Sequence, residues 1–220
     1  MPEILIADDH PLFRDALSRA AAQALPAVQL FQADSVPSLF ALVETHANAD
    51  LLLLDLQMPG ARGFSALAHL RGHYPQLPVI IVSAHEEADV ARRAIAHGAS
   101  GYVPKSMAGE NIVEAIRVVL DGEVWLPAQL SGGSAELRGN EAMLAARIGE
   151  LTPHQFRVLG MVADGLLNKQ IAYELGVSEA TIKAHMTAIM RKLGCTNRTQ
   201  VALAASQLTL DPGNVIAVDE

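Results

Sequence analysis

Five side chains in this 220-residue chain could handle a phosphate together: Asp8, Asp9, Asp55, Ser83 and Lys105. Asp55 ends the run Asp50-Leu51-Leu52-Leu53-Leu54-Asp55, and Asp8-Asp9 follows Glu3-Ile4-Leu5-Ile6-Ala7. Carboxylates gathered in this way either repel one another or share a cation. Hard oxygen donors suit Mg²⁺, which keeps waters that a phosphate can displace. A carboxylate beside such a metal can accept a phosphoryl group and form an acyl phosphate. In-line transfer then calls for positive charge and a hydroxyl donor at the equatorial oxygens, which Lys105 and Ser83 can supply. Taken singly, each residue has an ordinary structural use. Asp8-Asp9 or Ser83 can cap a helix, and Lys105 can be a solvated lysine.

The elements that would position them favour the joint reading. A short unbroken apolar run reads as a strand buried on both faces, as in a parallel sheet. Strands are expected at 3–7, 28–33, 50–54, 78–82 and 101–103, and helices at 11–24, 35–46, 63–72, 87–97 and 108–120. Five βα units predict a doubly wound parallel sheet with helices on both faces. In open α/β sheets the site lies at the C-terminal strand ends. All five residues fall on that edge.

The rest of the chain differs in kind. Residues 1–130 carry eight Lys/Arg against fifteen Asp/Glu, net −7; residues 151–209 carry six against three, net +3. An acidic front and a basic back predict two domains with different partners. The expected division is 1–122, a linker at 123–149 with a flexible Ser131-Gly132-Gly133-Ser134 and a helical turn or two at 140–148, a helical domain at 150–208 and a loosely ordered tail at 209–220. In the helical domain, Thr152-Pro153, Ser178 and Asn197 are helix starts, and Gly165, Gly176 and Gly194 are stops. Helices 168–175 and 179–193, joined by Gly176-Val177-Ser178, predict a helix-turn-helix. The single cysteine, Cys195, excludes an internal disulfide and suits a reducing cytoplasm. No apolar run approaches the roughly 20 residues needed to cross a bilayer, and Met1-Pro2-Glu3 does not begin a secretory leader.

Residues 1–120 resemble the receiver domain of a two-component response regulator. The resemblance rests on Asp8-Asp9, Asp55 with Met58-Pro59-Gly60, Ser83-Ala84, and Tyr102 with Pro104-Lys105. It implies a flavodoxin-like sheet of order 2-1-3-4-5 and a phosphorylation site at Asp55, served by a sensor histidine kinase. Mg²⁺ would be held by Asp9, Asp55 and the backbone carbonyl of Gln57, with Asp8 in support. Lys105 would bind the phosphoryl group, Ser83 would swing toward it, and Tyr102 would turn inward behind it. Gln57 and His85, each two positions past a site residue, read first as solvent-facing loop residues; the alternative is that they flank the path of attacking water and set the acyl-phosphate lifetime. A Mg²⁺-dependent aspartyl-phosphate phosphatase is the enzymatic rival. It would want a second Asp at position 57 and has no use for a helix-turn-helix.

Residues 151–207 resemble the four-helix DNA-binding domain of the LuxR/NarL/FixJ family. The matches include Asn168-Lys169-Gln170-Ile171-Ala172, Thr181-Ile182-Lys183, His185, Lys192-Leu193 and Asn197-Arg198-Thr199-Gln200. His154-Gln155-Phe156 departs from the charged stretch usual there. The second helix of such a motif enters the major groove. Lys183 is expected at a guanine edge or a phosphate, Ala184 and Thr187 at thymine methyls, and Lys169, Arg191, Lys192 and Arg198 at phosphates. Val201, Leu203, Ala204 and Leu208 on the last helix are expected to pair two chains, giving an activated homodimer on inverted half-sites. RNA polymerase is a further expected partner; a membrane is not. The pair His69 and His73 lacks a third metal ligand and is read as structural.

Overall fold

The computed structural model describes residues 1–107, 109–130 and 139–208. The expected flexible stretch 131–134 and tail 209–220 lie outside them. The N-terminal half alternates β1 (Glu3–Ala7), α1 (Pro11–Ala24), β2 (Gln29–Ala33), α2 (Val36–Thr45), β3 (Leu51–Asp55), α3 (Ser65–His73), β4 (Val79–Ser83), α4 (Ala88–Ala96), β5 (Gly101–Pro104) and α5 (Gly109–Leu120). The five strands are parallel in the order β2-β1-β3-β4-β5, as expected. Every residue of β3 and β4 is buried. Each of the leucines at 51–54 contributes roughly 1.5–3 kcal/mol by leaving water, which fixes β3 at the sheet centre and Asp55 at its exit.

The two-residue period of a strand sends alternate side chains to opposite faces. Ile4, Ile6, Leu51, Leu53, Ile80 and Val82 face α1 and α5 and form one core. Leu5, Leu52, Leu54, Val79, Ile81 and Tyr102 face the other side, and their core runs on without a break into the C-terminal helices.

Those helices are α6 (Gly139–Gly149), α7 (Pro153–Ala163), α8 (Asn168–Leu175), α9 (Glu179–Leu193) and α10 (Arg198–Gln207). Local chemistry sets their ends. Thr152 and Gln155 form a capping box, and Ser178 and Asn197 accept from the N–H groups of Thr181 and Gln200. Gly176 and Gly194 close α8 and α9 at φ 64° and 70°, where a Cβ would be penalised.

Residues 139–149 form three turns of helix packed across α3, more structure than the sequence pattern indicates. Gly72 and Gly149 meet so closely that a methyl on Gly72 would lie 2.5 Å from the Gly149 backbone. A Cβ on Gly160 would lie 3.1 Å from the Gly60 carbonyl. Arg62 pairs with Asp164 at 2.6 Å, and the Phe64 N–H donates to the Leu208 carbonyl at 2.9 Å. Glu141 of α6 takes hydrogen bonds from Arg93 at 3.1 and 2.7 Å and lies 2.8 Å from Nε2 of His97. At its far end, Arg147 donates to the Leu193 carbonyl at 2.6 Å, placing a cation at the negative end of α9.

Candidate functional site

Strand ends assemble the acidic pocket. Asp8 follows β1, Asp55 ends β3, Ser83 ends β4, and Lys105 follows β5. Asp8 and Ser83 are fully buried and Asp55 is 3% exposed. Lys105 Nζ donates to Asp55 Oδ2 at 2.8 Å and lies 2.6 Å from Asp8 Oδ2. The second approach is close enough for charge balance but lacks the direction of a hydrogen bond, so Asp8 Oδ2 has no donor. The Phe13 ring lies 4.7 Å from the ammonium. The Gln57 backbone N–H donates to Asp55 Oδ1 at 3.1 Å.

Burial raises the Asp55 carboxyl above the usual carboxylate range, against the lowering effect of Lys105 and the Gln57 N–H. Burial alone would lower Lys105, but the hydrogen bond to Asp55 and the adjacent Asp8 carboxylate outweigh this and raise it. The pocket therefore holds one firmly protonated cation among three carboxyl groups.

The donors fit a hard divalent cation. Ligand atoms of Asp8, Asp9, His10 and Asp55 all lie within 4.8 Å of one another. Asp9 Oδ1 is buried without a hydrogen-bond donor, although His10 Nδ1 lies 2.7 Å away as an ion-pair partner. His10 has no place in the sequence reading; its position next to Asp8-Asp9 is the signal that would have found it.

Behind the pocket, Tyr102 is already inward and fully buried, and its hydroxyl donates to the His85 carbonyl at 2.8 Å. Burial pushes its phenol up to about 12. Ser83 Oγ accepts from the His85 N–H at 3.2 Å. At the mouth, Gln57 Nε2 lies 3.1 Å from His85 Nε2. An amide nitrogen only donates, so this contact assigns the lone pair to Nε2 and the ring proton to Nδ1, which faces Glu87 at 3.3 Å.

On the basic half, Lys169, Lys183, Ala184, Thr187 and Arg191 are exposed. Lys183 pairs with Glu179 one turn back, at 3.3 Å. Two of the cations expected at phosphates also make hydrogen bonds within the chain. Lys192 donates to the Glu150 carbonyl and to Gln155, both at 2.8 Å. Arg198 donates to Asn168 at 2.8 Å and to the Leu166 carbonyl, bracing α10 against α8. Their carbonyl partners come from distant turns that residue type does not reveal. Of the four residues expected to pair chains, Leu203 is 42% exposed, whereas Val201, Ala204 and Leu208 are buried. α10 lies against α7, and its end reaches the loop after β3, so its apolar side is covered from within.

Comparison with known proteins decides the family. Residues 4–117 match the response regulator receiver domain, and residues 149–205 match the luxR family of bacterial regulatory proteins. The chain is a response regulator. It is 39% identical over 213 residues to the glycerol metabolism activator of Pseudomonas putida, covering 94% of this chain and 96% of that one. It is 34% identical over 207 residues to the nitrate/nitrite response regulator protein NarL of Escherichia coli K12, covering 93% and 94%. The fold matches RcsB from Salmonella enterica serovar Typhimurium bound to promoter P1flhDC, with TM-score 0.54, 23% identity, and coverage of 94% and 99%. This response regulator thus joins a receiver to a LuxR-type DNA-binding domain and is a transcription regulator. Among its described residues, no helix is long and apolar enough to cross a membrane.

Proposed function

We propose that Asp55 is the switched position of this regulator. A carboxylate oxygen of Asp55 attacks the phosphorus of a phosphohistidine on a sensor kinase. The new O–P bond forms as the P–N bond breaks, and the electron pair returns to the imidazole. Lys105 balances charge on the incoming phosphoryl group, and Ser83 offers it a hydroxyl. Asp9, Asp55 and the Gln57 carbonyl would hold Mg²⁺, with Asp8 in support; when bound, the ion neutralises charge on the transferring oxygens. Asp8 keeps Lys105 aimed into the pocket. Gln57 and His85 stand where hydrolytic water must pass, and they set how long the acyl phosphate lasts. The activity that results is binding, not turnover of a substrate.

The receiver spans 1–122, and the DNA-binding domain spans 150–208. Lys169, Lys183, Ala184, Thr187 and Arg191 form the DNA face, with base edges read from the start of α9. Phosphorylation loosens the seam around α6 and α10, freeing Leu203 and its buried neighbours for a second copy on inverted half-sites in the cytoplasm, where RNA polymerase is the further partner.

The observation that supports the reading best is the joint placement of Asp8, Asp9, Asp55, Ser83 and Lys105 on one sheet edge, with one lysine shared by two carboxylates. The test is DNA binding with and without a small acyl-phosphate donor. Wild type should bind more tightly when phosphorylated, and Asp55→Ala should not respond. A wild type indifferent to the donor overturns the switch.

A further inference from the structure

His69 of α3 is 1% exposed, although nothing in the phosphate chemistry uses it. Its ring lies 4.4 Å from Phe40 of α2, 4.9 Å from Phe156 of α7 and 4.2 Å from His73, centroid to centroid. The Ile148 backbone of α6 is hydrogen-bonded to the ring, while Nδ1 is buried with no partner. Four elements thus close on one imidazole, and two of them belong to the C-terminal half.

The charged groups around it do not favour a second proton. A cleft of about 370 Å³ beside it is lined by Glu44 from α2, His73 from α3, and His154 and Arg157 from α7. α6 offers only backbone. One carboxylate therefore stands against an arginine and two histidines, and Glu44 acts on the Tyr74 phenol. His73 Nδ1 faces the His69 carbonyl at 3.1 Å. The phenyl rings offset only part of the cost of a buried unpaired charge.

We propose that His69 is a proton-operated release of the docked domains: a proton on its imidazole separates the C-terminal helices from the receiver without any phosphoryl group. The sign follows from linkage. Burial first, then His73, holds the docked imidazole down to about 4, from an ordinary value of 6.5. The separated state binds the proton more readily, so docking is intact above about 6.5 and weakens as pH falls toward about 4. At pH 5.5 this difference is about tenfold in the ratio of docked to separated chains.

Glu141 and His97, across α6 and α4, have lowered pKa values, His97 through burial and Glu141 through His97 and Arg93, which overcome the raising effect of its own burial. Both also favour separation in acid, so the test removes His69 alone. Small-angle scattering of the full, unphosphorylated chain should show expansion on going from about pH 7.5 to about pH 5.5, with amide protection in β3 and β4 retained. His69→Phe or His69→Leu should expand clearly less than wild type, keeping only the response that Glu141 and His97 supply. Absence of expansion in wild type, an unchanged response in both variants, or expansion accompanied by loss of strand protection would overturn the proposal. The readout is domain separation and rests on the docked seam alone, so failure here leaves the Asp55 test intact.

Discussion

The acidic pocket and the domain seam both bury ionisable groups, and they handle the charge in opposite ways. The pocket keeps its charges: Lys105 lies within 2.8 Å of Asp55 and 2.6 Å of Asp8, and three carboxyl groups face one cation. The seam mixes two solutions. Glu141 is paired with Arg93 and His97, but His69 lies between Phe40 and Phe156 with no acceptor at Nδ1 for the N–H that a second proton would create. A pocket left net negative, with buried oxygens that have no donor, suits a hard cation. A seam closed around a neutral imidazole and two glycine contacts is prepared to come apart.

Three variants would break or sharpen that contrast. Gly72→Ala should have the largest effect. It favours helix α3 by about 0.5–1 kcal/mol, yet its methyl would sit 2.5 Å from the Gly149 backbone, and such overpacking costs about 1–3 kcal/mol or more. Scattering should show separated domains while the receiver melts no lower than before. A compact Gly72→Ala chain would mean that the seam tolerates what its geometry forbids. Lys105→Ala should leave the seam alone and lose a charged hydrogen bond to the phosphoryl group, about 1.5–3 kcal/mol. Asp55 should still take up phosphate from a small donor, while the phosphate-dependent gain in DNA affinity falls by roughly ten- to a hundredfold. An undiminished gain would exclude Lys105 from the relay. The smallest effect belongs to the pocket mouth. Losing the Gln57–His85 contact removes about 1 kcal/mol of hydrogen bonding, so Gln57→Ala/His85→Ala should change the acyl-phosphate lifetime about fivefold. Unchanged dephosphorylation kinetics would show that neither side chain guides water.

Much of the pocket was legible because its residues sit at the ends of strands that announce themselves. Leu51-Leu52-Leu53-Leu54 can hardly be anything but a buried strand, and the residue after it must emerge at the sheet edge. The same logic places Asp8, Ser83 and Lys105. Helix ends were equally local: Thr152, Ser178 and Asn197 cap within three residues of themselves. Lys192, Arg198 and the apolar side of α10 were not legible in this way. A lysine bound to the carbonyl of Glu150 and a lysine reaching for a phosphate have the same sequence signature. So do a leucine packed on its own domain and one awaiting a second chain.

The sequence by itself determined the five strands, the helix-turn-helix and the place of Asp55 at a strand end, because period, capping and strand-end position are short-range properties that each segment carries; the strand order came with the family resemblance. Tertiary structure alone decided that α6 would lie across α3, that Gly72 would meet Gly149, that Glu141 would reach Arg93 and His97, and that His69 would be sealed between two phenylalanines. Those partners lie 29 to 87 positions apart along the chain. Nothing in either segment names the other until packing brings them together and removes the water between them.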